Sequence, residues 1–245
     1  MTTSTSSPVW RWSVDLAPRA RLPFPGLENL STNHSQAWQD FFILSALNGK
    51  LNGRYLEVGG HVPVANNNTC LLHREFGWTG VTLELDAAHF PLWKKHRPNS
   101  HFLIADALAI DYAQALPLWF GTPSGRIDYL QLDIDPSINT LGVLKRLPLD
   151  SWRFSVITFE TDAYTGDLRA RDESRAILSA QGYVPVARDI TVMFSPVSPD
   201  PIPFEDWWVD PVVVSPEAIA LLQGINATTG LPGNLLFANE DGPTS

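Results

Sequence analysis

The stretch Arg54-Tyr55-Leu56-Glu57-Val58-Gly59-Gly60-His61 does most to limit what this chain can fold into. Tyr55 to Val58 is an apolar run carrying one acid, the pattern of a short buried strand. The glycine pair behind it lets the backbone turn sharply and pass close to another group. A polar loop through Pro63 and Asn66-Asn67-Asn68-Thr69 follows, and Cys70-Leu71-Leu72 opens a helix-like pattern. Strand, glycine turn and helix in that order predict the first crossover of an α/β sheet of the nucleotide-binding kind.

The same unit then repeats. Strands are predicted at Arg54–Val58, Gly80–Leu85, His101–Ala105, Ile127–Ile134 and Arg153–Phe159. Helical patterns fall between them at Cys70–Phe76, Ala87–Arg97, Tyr112–Trp119 and Ile138–Leu147. A helix at Ser174–Gln181 leads to a strand at Tyr183–Ala187. Such alternation predicts right-handed crossovers and a mostly parallel sheet covered on both faces. Beyond it, Thr191–Phe194 and Trp207–Val214 read as strands joined by a proline-laden segment with no room for a helix, which fits a closing antiparallel hairpin. Ahead of the first strand, Ser35 to Leu47 has helical spacing and Asn48-Gly49 stops it. The division expected is an arm over residues 1–30 anchored by Trp10 and Trp12, a catalytic domain over 31–215, and a helix at Pro216–Gln223 with a tail over 216–245. The arm docks on the body or across a subunit boundary, which leaves a homodimer open.

Composition narrows the partners. The net charge of −9 repels a phosphate backbone, so nucleic acid is not the expected ligand. No apolar run approaches the ~20 residues of a membrane span, and nothing at the amino terminus reads as a signal peptide. A cytoplasmic setting is the expectation. The one cysteine, Cys70, is expected to be a buried small hydrophobe.

The chemistry lies at the strand ends. Glu57, Glu84, Asp106, Asp133 and Glu160 each close a predicted strand, at spacings of 27, 22, 27 and 27 residues. Ligands of open parallel sheets bind outside the carboxyl ends of the strands. A row of carboxylates there suits hydroxyls, amines and positive charge rather than phosphate. No glycine follows Gly60 until Gly77, so a pyrophosphate finds no cradle, which counts against an NAD-linked or sugar-nucleotide enzyme. S-adenosylmethionine (SAM), with its sulfonium, ammonium, ribose diol and adenine amine, matches.

Ser35-Gln36-Ala37-Trp38-Gln39-Asp40, the Tyr55–Gly60 turn, Asn68-Thr69, Gly77 through Glu84 and Asp128–Asp135 together resemble the FkbM-type SAM-dependent methyltransferases. The resemblance covers roughly Ser35 to Phe159, with a looser echo at Phe204-Glu205-Asp206-Trp207-Trp208. It implies the Rossmann-like class I methyltransferase fold, a mostly parallel seven-stranded sheet with a closing antiparallel strand. It also implies O-methylation of a small natural-product or sugar-like acceptor. Glu57 and Gly59 would hold the methionine portion, Glu84 the ribose hydroxyls and Asp106 the adenine amine, and Asp133 would face the reacting centre. Gln39, Gly60, Asn68, Leu85 and Ala107 complete the expected cofactor-binding set. Two segments depart from the family pattern: His61-Val62-Pro63 replaces Asn-Asp-Gly, and Asp133-Ile134-Asp135-Pro136 replaces Asp-Val-Glu-Gly. These departures keep a non-catalytic SAM-binding or scaffold protein as an alternative.

Plainer roles compete at each position. Glu84 and Asp106 also suit helix N-caps. His61 serves either as a catalytic base or to shape its loop, and His89, His96 and His101 are incidental. Trp207 and Trp208 point to opposite faces of one strand, so one is core and the other borders the acceptor pocket. Asp133 and Glu160 sit at neighbouring strand tips about 4.8 Å apart, with Asp162 just beyond, and can converge on one ion. Oxygen ligands favour Mg²⁺ or Ca²⁺ over zinc. Asp133 acting alone as base is the alternative.

Overall fold

The computed structural model describes residues 14–193 and 198–238. Trp10, Trp12 and residues 194–197 of the proline-laden segment, with Phe194 of the expected strand, lie outside the described residues. Seven strands form one sheet: β1 (Arg54–Val58), β2 (Thr79–Glu84), β3 (His101–Ile104), β4 (Gly125–Leu132), β5 (Trp152–Glu160), β6 (Val184–Val192) and β7 (Ile202–Val209). Their order is β3-β2-β1-β4-β5-β7-β6. The pairs among β1 to β5 are parallel, and β7 runs antiparallel between β5 and β6. From β1 the chain winds outward to β3, then returns to lay β4 on the other side of β1. Order reverses between β1 and β4, and a crevice opens at the carboxyl ends there.

Among the described residues eight helices flank the sheet: α1 (Gln39–Ala46), α2 (Cys70–Glu75), α3 (Phe90–His96), α4 (Tyr112–Phe120), α5 (Ser137–Leu144), α6 (Arg169–Ala180), α7 (Pro216–Asn226) and α8 (Pro232–Leu236). Their ends follow local chemistry. The Asp111 carboxylate caps α4 by accepting from the amides of Ala113 and Gln114, and Gly121 stops it in the left-handed region at φ 68°. Ser215 caps α7 through the Ala218 amide at 3.2 Å. Among the described residues, no helix is long and apolar enough to cross a membrane.

Each face of the sheet has its own core. One gathers Phe41, Phe42, Trp78, Tyr129 and Trp207 with Phe24, Leu27 and Leu30 before α1 and Leu235 to Phe237 after it. The terminal segments are tied by an antiparallel bridge between Ala20 and Phe237, so part of the expected tail is packed. The other core holds Leu56, Leu130, Leu132, Phe154, Ile157, Phe159 and Trp208.

The hairpin differs from expectation in two ways. The strands expected at Tyr183–Ala187 and Thr191–Phe194 are one strand, β6, interrupted by register shifts around Asp189, whose φ is 54°. A bulge of this kind breaks the period-two pattern that marks a strand in sequence. The strand expected at Trp207–Val214 is β7, which starts earlier and ends at Val209 because Asp210 opens a turn by accepting from the Val212 amide. β7 is fastened from α6, where Arg175 forks onto the buried Asp206 carboxylate at 2.7 and 2.8 Å.

Candidate active site

The crevice is a cleft of about 700 Å³, lined in part by Gly59, His61, Glu84, Asp106, Gln131 and Asp133. That volume suits a small-molecule ligand. A second hollow, of about 370 Å³, lies over the amino ends of β1 to β3 and carries none of the strand-tip acids.

Gly59 shapes the floor. Its φ is 88°, and a Cβ there would meet the Asp133 carbonyl oxygen at 1.6 Å, so only glycine lets β1 and β4 close at this level. A Cβ on Gly60 would fall 2.1 Å from the Thr82 methyl. His61 then turns with φ 40°, and its amide donates to the Glu84 carboxylate at 2.7 Å. The other Glu84 oxygen accepts from the Asp86 amide at 2.8 Å. Glu84 thus ties the loops after β1 and β2 together while still facing the cleft, whereas the N-cap of the next turn is Asp86. Asp106 does cap its following turn, through the Leu108 amide at 2.9 Å, and remains exposed to the cleft. Leu85 and Ala107 line the same wall.

Glu57 takes a different place. It is fully buried beneath the loop, where its carboxylate accepts from Asn67, Thr69 and Thr82. Burial raises its pKa, and the nearby Arg97 guanidinium pulls it back down. Arg97, at 2% exposure, donates to Asn67, Thr69 and Tyr55 at 2.8–2.9 Å and lies 4.6 Å from the Trp93 ring. Glu57 and Arg97 with the polar side chains between them form a buried network that fixes the loop from below. Glu57 therefore supports the cleft without lining it. Asn68 is buried beside the Tyr129 hydroxyl, and its neighbour Asn67 lines the cleft instead. Gln39 is also buried, donating to Glu205 at 3.1 Å, while Gln36 reaches the cleft.

Trp207 and Trp208 do project to opposite faces, but each is 0% exposed. Trp207 stacks on Phe42 at 4.4 Å, and Trp208 packs in the other core. β7 lies inside the sheet, and a hydrophobic core covers each of its faces. Neither tryptophan borders the cleft, which corrects the expectation of an acceptor-binding indole.

At the tips of β4, β5 and β7 acids crowd together. Glu160 is the register partner of Glu205 across the β5–β7 pair. Asp133 and Glu160 are close enough to share a proton. Burial first, and then the neighbouring Asp135 and Asp162, raise the pKa of Asp133. Burial and Asp133 push Glu160 well up. Glu205, 2% exposed, is pushed up to about 8, chiefly by burial. Carboxylate oxygens of Asp135, Glu160 and Asp162 all lie within 4.8 Å of one another. Asp162 is 4% exposed; its Oδ2 accepts from the Ser137 amide, and its Oδ1 is buried without a partner. The metal-ligand trio expected as Asp133, Glu160 and Asp162 thus appears with Asp135 in the group and Asp133 paired beside it. Arg97 had no signal in the sequence beyond its residue type, whereas Gln131, Asp135 and Glu205 lie in the segments that carry the family resemblance without being singled out there as site residues.

Solved structures share this architecture. Cofactor-bound Rv0187 from MTB is 18% identical, with a TM-score of 0.50 over 80% of this chain and 85% of that one. A Klebsiella pneumoniae protein described as a candidate O-methyltransferase is 19% identical, with a TM-score of 0.48 over 74% and 84% of the two chains. A TehB-like SAM-dependent methyltransferase from Corynebacterium glutamicum is 12% identical, with a TM-score of 0.41 over 70% and 87%. No family model matches the sequence, and no curated protein does. At these identities the likeness is one of fold, and the chain has the Rossmann-like fold of class I SAM-dependent methyltransferases.

Proposed function

We propose that this chain is a SAM-dependent methyltransferase, of the FkbM type its motifs resemble, acting on a hydroxyl of a small natural-product or sugar-like acceptor. The observation that carries this reading is one cleft at the switch in strand order, walled by Gly59, Glu84, Asp106 and Asp133. The donor set fits SAM: carboxylates face the places where a ribose diol and an adenine amine would sit. A dinucleotide pyrophosphate would instead meet the carboxylates of Glu84, Asp86, Asp106 and Asp135. The net charge of −9 disfavours a nucleic-acid acceptor.

SAM, when bound, would supply an electrophilic methyl group, which would pass in line to an acceptor oxygen as the methyl–sulfur bond breaks and S-adenosylhomocysteine leaves. The residues of this chain align that oxygen and take its proton. Glu84 holds the ribose edge, Asp106 the adenine edge, and Gly59 lets β1 and β4 close beneath the amino-acid end. Asp133, at the reacting end of the cleft, is the proton acceptor, and its raised pKa places it nearer working pH than an ordinary aspartate. His61 lies across the cleft with its ring 4.4 Å from that of His89, in the role of loop former. Much of the acceleration rests on alignment.

A divalent cation belongs to the same reading. Asp135, Glu160 and Asp162 are the residues to hold Mg²⁺, and the orphaned Asp162 Oδ1 is the observation in its favour. Bound there, the ion would orient an acceptor hydroxyl and lower its pKa. Mg²⁺ at about ten times its Kd is expected to raise the Tm by about 3–6 °C, and Asp162→Asn to abolish the gain. An unchanged Tm with Mg²⁺, Mn²⁺ and Ca²⁺ removes the ion and leaves Asp133 to act alone.

The cofactor assignment is tested at Glu84. Glu84→Ala is expected to weaken SAM binding about 10–150-fold, the range for losing hydrogen bonds to a charged group. Circular dichroism should show the fold retained. Wild-type affinity in this variant would move the ribose elsewhere.

A further inference from the structure

Gln131 is two residues before Asp133 on the same face of β4, and opposite Glu57 in the β1–β4 register. It lines the cleft yet is only 5% exposed. Its Nε2 donates to the Gly59 carbonyl at 3.3 Å, and its Oε1 meets no donor and no solvent. That contact fixes the amide orientation, since the reverse placement would set two acceptor oxygens against each other. A buried amide oxygen with nothing to accept is costly and unusual in a folded chain. Its neighbours offer it no donor: the Gly59 amide is spent on the Leu83 carbonyl at 3.0 Å, and the Asp133 amide on the Val58 carbonyl at 3.1 Å.

We propose that Gln131 is the residue that recognises the ammonium group of SAM, its Oε1 and the Gly59 carbonyl accepting from the cofactor's amino-acid end. This rests on the SAM reading above and adds a specificity determinant to it. The terminal amide turns on a soft torsion, so a small tilt presents Oε1 to the cleft while Nε2 keeps its acceptor. An ammonium carries three donors and no acceptor, which matches two carbonyl oxygens side by side. Asp133 lies next along the strand and adds favourable charge. Nucleosides that lack the amino group gain nothing from Gln131, so the cleft selects an aminoacyl thioether over a plain adenosine.

The test is a cycle over ligand and protein. S-adenosylhomocysteine and its desamino analogue are titrated calorimetrically into the wild type and Gln131→Leu. In the wild type, loss of the amino group is expected to weaken binding about 10–150-fold. In Gln131→Leu that penalty should shrink at least about threefold, the Gly59 carbonyl and Asp133 keeping the remainder. Gln131→Met provides the same comparison if the leucine variant fails to melt cooperatively. An equal loss for the desamino ligand in wild type and variant would overturn the assignment, since Gln131 would then be structural. Failure of the wild type to bind either ligand would overturn the SAM reading itself, and this inference with it.

Discussion

Replacing Arg97 by methionine is expected to destabilise the chain by about 3–5 kcal/mol, the cost of stranding a buried charge. Methionine keeps much of the stem that packs on Trp93, so the loss isolates the guanidinium. Without it, Glu57 keeps its three donors but loses the positive charge beside it, and Asn67, Thr69 and Tyr55 each lose a charged donor. For a chain of this size the change corresponds to a fall in Tm of about 6–20 °C. The same network fixes the loop from Gly60 to Thr69, so amide exchange there should quicken more than in β6 and β7. Arg97→Lys, which restores charge without the fork, should recover only part of the loss. A Tm within about 2 °C of wild type in Arg97→Met would show that Glu57 is held by its neutral donors alone.

Stability should also fall as pH rises, and Glu205 should be a principal cause. Its carboxyl is raised from 4.5 to about 8 in the fold. A carboxyl raised in this way adds stability that is complete below its unfolded pKa and disappears as pH climbs through the folded value. At about 1.4 kcal/mol per pH unit, the loss between pH 4.5 and pH 8 is about 4–5 kcal/mol. Glu205→Gln should remove most of this part of the slope, because an amide oxygen still accepts from Trp207 and Gln39. Asp133, Glu160 and Asp162 are shifted in the same direction and stay in the variant, so some slope persists. Urea unfolding at pH 5, 7 and 9 in EDTA measures it. Parallel profiles for wild type and Glu205→Gln would mean that Glu205 is charged in the fold.

The sequence made the positions along strands legible, and these carry the account. Alternation placed β1 to β5 within two residues, and the acids at their ends put Glu84, Asp106 and Asp133 on one cleft. Which way a strand-end acid turns was not legible. Glu57 and Glu84 both close strands, yet one is drawn under the loop by Thr69, Thr82 and the distant Arg97. Arg97 itself reads as an exposed helix end and becomes buried only because Trp93 and Tyr55 flank it in space. Trp207 and Trp208 alternate as a strand requires, but only the strand order shows β7 to be interior. Glu205 and Glu160 meet through an antiparallel register that no local pattern encodes.

Whether the cleft at the β1–β4 switch is a SAM site is decided by the wild-type arm of the Glu84 titration. SAM and S-adenosylhomocysteine are titrated calorimetrically into the chain, with NADH in parallel. Saturable one-to-one binding of both adenosyl ligands, and no saturation with NADH, is the expected result. Saturation with NADH, and none with SAM or S-adenosylhomocysteine, would contradict it.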